Sequence, residues 1–265
     1  MEMIIEYVNN KKQFLLDEIK KIKEPLKLVI VQINDDPASN AYIRGKLKDL
    51  AEIGAIGELL KLDINITMEE LKKVIDKLNN DPTVTGFIVQ MPLPKQLNEE
   101  TIKEWINPDK DVDGFNSKSL FKPATPNGII TYLKDNKFDF DGKNALIIGR
   151  SNIVGKPMAK LLLNLNMNVT ITHSHTTKED LEFYLKHADL VIVAVGKPYF
   201  INKTFQINNN AVIFDVGINR IDGKLVGDCE HDLDVKFLSP VPKGVGLLTR
   251  LSLLLNLMEA YKNGI

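Results

Sequence analysis

Three side chains able to handle protons recur at helical spacing near the start of the chain. Ser39, Tyr42 and Lys46 lie three and four residues apart and so share one helix face. Two readings fit a lysine beside a tyrosine. One is a solvated face, with the lysine stem and the tyrosine lying along the surface. The other is a cleft in which the amine is pushed down from ~10.4, so that it carries a proton near neutrality. Gln90 ends the apolar run from Thr85 and precedes Met91-Pro92-Leu93-Pro94. Ligands bind at strand C-terminal ends in open parallel sheets, so this amide either meets a ligand or caps a loop. Asp113, before Gly114, is either a turn aspartate or a carboxylate gripping a heterocycle beside adjacent N–H donors.

A second centre runs from Ala145 to Pro157, read ALIIGRSNIVGKP. Four apolar residues suit a buried parallel strand, Gly149-Arg150-Ser151 a tight turn, and Met158 to Leu165 a helix. Strand, glycine turn and helix together place a phosphate on backbone N–H groups at a helix N-terminus. The spacing is Gly-x-Ser-x-x-x-Gly rather than Gly-x-Gly-x-x-Gly, so an ordinary strand-to-helix turn is the competing reading. The next strand ends in Thr172-His173-Ser174-His175, without the acid that an NAD ribose requires. Arg150 is instead placed to meet a ribose 2′-phosphate, which favours NADP. His173-x-His175 has the spacing of a metal pair, but no third ligand is evident, so no metal site is expected. Asp109 to Gly114 begins like an EF-hand loop, but its twelfth position is Leu120 and Pro108 stops any preceding helix, which excludes calcium. Pro240 to Gly246 reads as a rigid linker or as a backbone wall close to a ligand.

The elements that must position these residues alternate between strand and helix. In the first part, helical spacing covers Gln13–Lys23, Pro37–Ile53 (entered near Ser39) and Thr67–Leu78, with a short helix capped by Asn98 and stopped by Pro108. Thr67 and Glu70 form a capping box. Strands are expected at 28–33, 56–64 and 85–91. Thr125 and Pro126 then mark a helix start, followed by strands at 145–148, 168–172, 190–195 and 211–216, an edge strand at 237–240, and a helix at 177–188. A leucine-rich helix, 247–262, closes the chain. Alternation of this kind predicts an α/β protein with parallel sheets.

The chain has 265 residues, enough for two ordinary domains, with 44% hydrophobic and 26% charged residues. A net charge of −1 gives no global attraction for nucleic acid or an anionic membrane. No apolar run reaches the ~18 residues of a membrane span, and no secretory signal is evident at the N-terminus. The single cysteine, Cys229, sits between two acids and reads as an inert thiol in a reducing compartment, so the chain is expected to be cytoplasmic.

Five segments in one order carry a resemblance. They are Ser39-x-x-Tyr42-x-x-x-Lys46, Val89-Gln90-Met91-Pro92-Leu93-Pro94, Pro108-Asp109-Lys110-Asp111-Val112-Asp113-Gly114-Phe115, Gly149-Arg150-Ser151-x-x-Val154-Gly155-x-Pro157, and Asp215-Val216-Gly217-Ile218-Asn219. Together they closely resemble the bifunctional methylenetetrahydrofolate dehydrogenase/methenyltetrahydrofolate cyclohydrolase family over nearly the whole chain. The resemblance implies two parallel-sheet α/β domains across a cleft. Residues 1–120 plus 246–265 would form the catalytic, folate-binding domain, and 121–245 a Rossmann-type NADP-binding domain. It implies Lys46 as the catalytic lysine, Tyr42 stacking on and orienting the substrate, Gln90 setting the protonation of Lys46, and Asp113 holding the pterin-like ring. Gly149, Arg150, Ser151, Ser174 and Ile218 would line the NADP site, no metal would be needed, and the protein would be a homodimer.

One segment departs from the family. Its loop reads Pro-Gly-Gly-Val-Gly-Pro-Met-Thr, where this chain has Pro242-Lys243-Gly244-Val245-Gly246-Leu247-Leu248-Thr249. Lys243 disfavours a positive φ, and Leu247 removes a proline restraint at the helix start. Two rival readings remain. One is another two-domain NADP-dependent dehydrogenase of shikimate type, which would not need Tyr42, Lys46 and Asp113. The other is a non-catalytic NADP-binding sensor, favoured only by the altered loop.

Overall fold

The computed structural model describes residues 2–264. The chain separates into two compact units, one formed by the chain up to Val8 with Thr125–Thr249, the other by Asn9–Ala124 with the chain from Arg250 onward.

The elements of the first half are α1 (Ile4–Ile19), β1 (Lys27–Gln32), α2 (Pro37–Glu52), β2 (Ile56–Lys61), α3 (Met68–Asn80), β3 (Gly86–Val89) and α4 (Glu99–Trp105). The three strands form a parallel sheet in the order β2-β1-β3. Strand β3 is buried on both faces, as crossover helices require. Val29, Val31, Phe87 and Val89 pack with Leu71, Ile75 and Leu78 of α3 and Ile102 of α4. The Thr67–Glu70 capping box is present in full at the start of α3, and the Asn98 side chain caps α4 by accepting from the Thr101 N–H.

In this half, one helix begins elsewhere than the sequence suggests, and another begins at Pro37 as expected but is entered through a different cap. Helix α1 starts at Ile4 rather than Gln13, because Ile4, Tyr7 and Val8 are buried and carry its apolar stripe back toward the N-terminus. Helix α2 is capped by Asp36, whose carboxylate accepts from the Ser39 N–H at 2.8 Å, with Pro37 in the first turn. Ser39 therefore lies inside the helix and does not open it.

The second half contains α5 (Ala124–Asp135), β4 (Asn144–Ile148), α6 (Gly155–Leu163), β5 (Asn168–Thr172), α7 (Lys178–His187), β6 (Leu190–Val193), β7 (Val212–Asp215), β8 (Asn219–Ile221), β9 (Lys224–Val226), β10 (Phe237–Leu238) and α8 (Val245–Lys262). A five-stranded parallel sheet runs β10-β7-β6-β4-β5. Strand order reverses at β4, which pairs with β5 on one side and β6 on the other; this is the switch point where α/β sheets bind ligands. Thr125 does not cap α5, which starts one residue earlier; its hydroxyl meets that of Thr249 at 3.0 Å. The β8–β9 hairpin adds to the elements expected from the apolar runs; its Asp222-Gly223 turn, with φ of 48° and 78°, is a strong hairpin signal.

Lys243 adopts a φ of 76°. The loop thus keeps a conformation that favours glycine while carrying a side chain, at a cost of about 1 kcal/mol. Gly244 beside it leaves no room for substitution, since a Cβ there would lie 2.1 Å from the Pro240 carbonyl oxygen. Helix α8 starts at Val245, two residues before the expected Leu247.

Candidate functional site

In the unit that holds α2, the helix turns Tyr42 and Lys46 to one side and ties itself to the end of β3. The Ser39 hydroxyl donates to the Met91 carbonyl at 2.9 Å. Gln90 follows β3 directly, and its N–H donates to the Val31 carbonyl at 2.9 Å. Its side-chain Oε1 accepts from Lys46 Nζ at 3.0 Å, while its Nε2 donates to the Met91 carbonyl at 2.9 Å. The amide is thereby oriented with its oxygen toward the amine.

Lys46 is 7% exposed, so the solvated-face reading of this lysine does not hold. Burial pushes its amine below the ordinary lysine value; the Arg250 guanidinium acts in the same direction, and the Asp113 carboxylate opposes both. Asp113 is itself pushed up by burial and held back by Lys46 and Lys103. The Tyr42 hydroxyl is also raised by burial, which keeps it a neutral phenol. A neutral Lys46 can donate one N–H to Gln90 and still offer its lone pair as a base.

Arg250 interrupts the leucine-rich face of α8. Its Nε donates to the Asp49 carboxylate at 2.5 Å, and that buried carboxylate also pairs with Lys12. A Cβ on Gly45 would sit 2.8 Å from the guanidinium, so the glycine next to Lys46 makes room for the arginine. Helical spacing joins Gly45 to Asp49, but no spacing rule would have joined Arg250 to them.

The other unit carries a cavity of about 270 Å³ at the switch point. Gly149 and Arg150 at the end of β4, Ser174 beyond β5, and Ala194 with Lys197 beyond β6 contribute to its lining. The lining holds two cations, Arg150 and Lys197, and no carboxylate. Gly149 has a φ of 122°, and a Cβ there would lie 2.3 Å from the Ala194 carbonyl oxygen. A Cβ on Gly155 would meet the Gly149 carbonyl oxygen at 2.2 Å, so the start of α6 closes directly on the turn. Ser151 lies on the same exposed turn, and its Oγ accepts from the Val154 N–H at 3.1 Å. Ile218, 47% exposed, lies on the β7–β8 loop and does not line the cavity. The N–H groups at the start of α6 are already taken, those of Val154 and Gly155 by the Ser151 hydroxyl and that of Lys156 by the Ser151 carbonyl, so it is the basic walls and the close glycine contacts of the β4 turn that fit a dinucleotide phosphate.

Among the described residues, no group of three or more His, Cys, Asp or Glu side chains is arranged to hold a metal ion. Asp111, in the segment that begins like a calcium loop, is instead buried. It accepts from the Asn116 N–H at 2.7 Å and is pushed up to about 7 by desolvation. Cys229 is buried, and its thiol is driven upward by burial and by Asp215 and Asp228.

Comparison with known proteins assigns both units. Residues 4–113 match the catalytic domain of tetrahydrofolate dehydrogenase/cyclohydrolase, and residues 123–265 match its NAD(P)-binding domain. The chain belongs to the tetrahydrofolate dehydrogenase/cyclohydrolase family. It is 43% identical to the bifunctional protein FolD of Bacillus cereus (strain B4264), over 97% of this chain and 94% of that one. A FolD methylenetetrahydrofolate dehydrogenase/cyclohydrolase crystal structure from Campylobacter jejuni shares 38% identity with a TM-score of 0.88, covering 99% and 95% of the two chains. A Trypanosoma brucei dehydrogenase-cyclohydrolase, solved with NADP cofactor and inhibitor, superposes with a TM-score of 0.90 at 26% identity, covering 97% and 95%. As a tetrahydrofolate dehydrogenase/cyclohydrolase, the chain carries most of the catalytic-domain match on the unit with Lys46 and most of the NAD(P)-domain match on the unit with the basic cavity, although the latter match runs on through α8, which from Arg250 belongs to the Lys46 unit. The FolD relatives match over both units, which the shikimate-type and sensor readings do not account for.

Proposed function

We propose that the chain oxidises methylenetetrahydrofolate with NADP and hydrolyses the methenyl product to formyltetrahydrofolate, and that the two chemistries draw on different residues. The observation that carries this reading is the buried Lys46 amine, held by Gln90 at 3.0 Å in the unit that also holds Tyr42 and Asp113. NADP, when bound, accepts hydride from the methylene carbon. That step needs no general base, so the protein's work in it is to hold the folate and the coenzyme in productive orientation.

Hydrolysis does need a proton carrier. Water adds to the methenyl carbon and loses a proton, and a ring nitrogen gains one as the carbon–nitrogen bond opens to the formyl group. The neutral amine of Lys46 takes the first proton and returns it, while Gln90 fixes the direction of its lone pair. Tyr42 supplies a flat neutral face for the substrate, and Asp113 accepts hydrogen bonds from the pterin-like ring. Gly149, Arg150, Ser151 and Ser174 would hold the NADP phosphates and ribose, with Ile218 against the coenzyme. A homodimer, which the family resemblance implies, and a reducing cytoplasm, which suits the lone thiol of Cys229, are part of this reading.

The test combines both steps. The protein should reduce NADP in the presence of methylenetetrahydrofolate and hydrolyse the methenyl compound without any coenzyme. Arg150→Gln should raise the KM for NADP by roughly tenfold or more, because a charged partner of the 2′-phosphate is lost. Its effect on NAD, which lacks that phosphate, should be small. An equal loss with both coenzymes would remove Arg150 from the 2′-phosphate.

A further inference from the structure

At the end of β6 three successive backbone N–H groups, from Val195, Gly196 and Lys197, converge on one point. The turn is possible because Gly196 takes a φ of 65°. Concavities of this kind bind anions. Here the anion is part of the chain. Asp228, with 0% exposure, places Oδ2 against the Val195 N–H at 2.7 Å and the Gly196 N–H at 2.9 Å. Its Oδ1 accepts from the Lys197 N–H at 2.8 Å and from Asn219 Nδ2 at 2.9 Å.

We infer that Asp228 is a positioning residue for the dinucleotide site: its carboxylate fixes the Val195–Lys197 wall of the cavity and, through Asn219, the loop that carries Ile218. This rests on the reading that the cavity at the β4–β6 switch point takes NADP. Val195 and Lys197 line that cavity, so the carboxylate acts from behind its wall. Asp215, at the end of β7, extends the arrangement. Its Oδ1 accepts from the Gly217 N–H at 3.0 Å and the Asp228 N–H at 2.9 Å, and its Oδ2 from the Cys229 N–H at 2.8 Å. The two carboxylates thus hold each other's loops.

The glycines leave room only for these carboxylates. A Cβ on Gly217 would lie 2.1 Å from the Asp228 carboxylate, and one on Gly227 would lie 1.9 Å from Asp215 Oδ2. An internal carboxylate on the three N–H groups also keeps a coenzyme phosphate from settling there. Phosphate is left to the Gly149–Arg150 side of the cavity.

The test is Asp228→Ala, with both activities measured on one preparation. The KM for NADP should rise about tenfold or more, since charge-assisted bonds to three wall amides are lost. Hydrolysis of the methenyl compound, which uses residues of the other unit and no coenzyme, should stay within about twofold of wild type. Added formate should lower the raised KM again by refilling the vacated position. Asn219→Ala, which removes one of the four contacts and keeps the carboxylate, should raise the NADP KM by about threefold with hydrolysis intact. An unchanged NADP KM in either variant, or hydrolysis falling in step with it, overturns the positioning role. Failure of the wild-type protein to bind NADP would instead overturn the reading of the cavity.

Discussion

Lys46→Met is expected to abolish hydrolysis of methenyltetrahydrofolate and to leave NADP binding intact. Methionine keeps the length and flexibility of the lysine stem but can neither take nor return a proton. Removing a positioned acid–base group costs about 10²–10⁴ in rate. The loss should not come from unfolding. Lys46 is 7% exposed, and exchanging a buried amine for a thioether relieves a desolvation penalty rather than creating one. Gln90 Oε1 would lose its 3.0 Å donor, a modest cost against that gain. Melting temperature and NADP affinity should therefore stay near wild type while the hydrolytic rate, measured without coenzyme, collapses. Undiminished hydrolysis by the variant would remove Lys46 from the reaction.

Asp113→Ala has the second largest expected effect, and its signature differs. If the carboxylate holds the pterin-like ring, both reactions lose the same substrate contact, and kcat/KM should fall about 10- to 100-fold for each. Electrostatics separate this from an indirect effect on Lys46. Asp113 favours the protonated form of that amine, so its removal makes the neutral base more available, not less. Slower hydrolysis in this variant must then come from folate binding and should appear mainly as a raised KM. A loss confined to hydrolysis, with the folate KM of the dehydrogenase unchanged, would count against the assignment. With Arg150→Gln, the three variants form a pattern: one disables hydrolysis, one disables folate binding for both steps, and one disables the coenzyme.

Much of this was legible in the sequence where the signal is local. The alternating apolar runs, the Thr67–Glu70 capping box and the Asn98 cap all appear in the structure because periodicity and cap chemistry act over a few residues. The Tyr42–Lys46 face was legible for the same reason, but its burial was not. Spacing says which residues share a face, while exposure depends on what the rest of the chain places over it. Helix α2 shows the limit at a boundary. Asp36, Ser39 and Pro37 all carry start signals, and only the tertiary contact of the Ser39 hydroxyl with Met91 decides that the serine belongs inside.

What the sequence hid are contacts between distant positions. Arg250 reads as a flaw in an apolar helix until its partner Asp49, about 200 residues away, is seen. Asp228 reads as an acid beside a cysteine until three N–H groups from the end of β6 are found on it. Lys243 was expected to resist a positive φ, yet it takes one, because the loop geometry set by Gly244 and Pro240 outweighs about 1 kcal/mol of backbone preference.

Hydrolysis depends most on Lys46 acting as a neutral amine. The pH dependence of kcat/KM for methenyltetrahydrofolate hydrolysis, measured without coenzyme, tests this directly. Burial lowers the amine's affinity for a proton, so the rate should fall on the acid side as Lys46 becomes an ammonium, with a midpoint clearly below the ordinary lysine value. Above that midpoint the rate should level off. A rate that keeps climbing through the ordinary lysine range, or one indifferent to pH throughout, would contradict it.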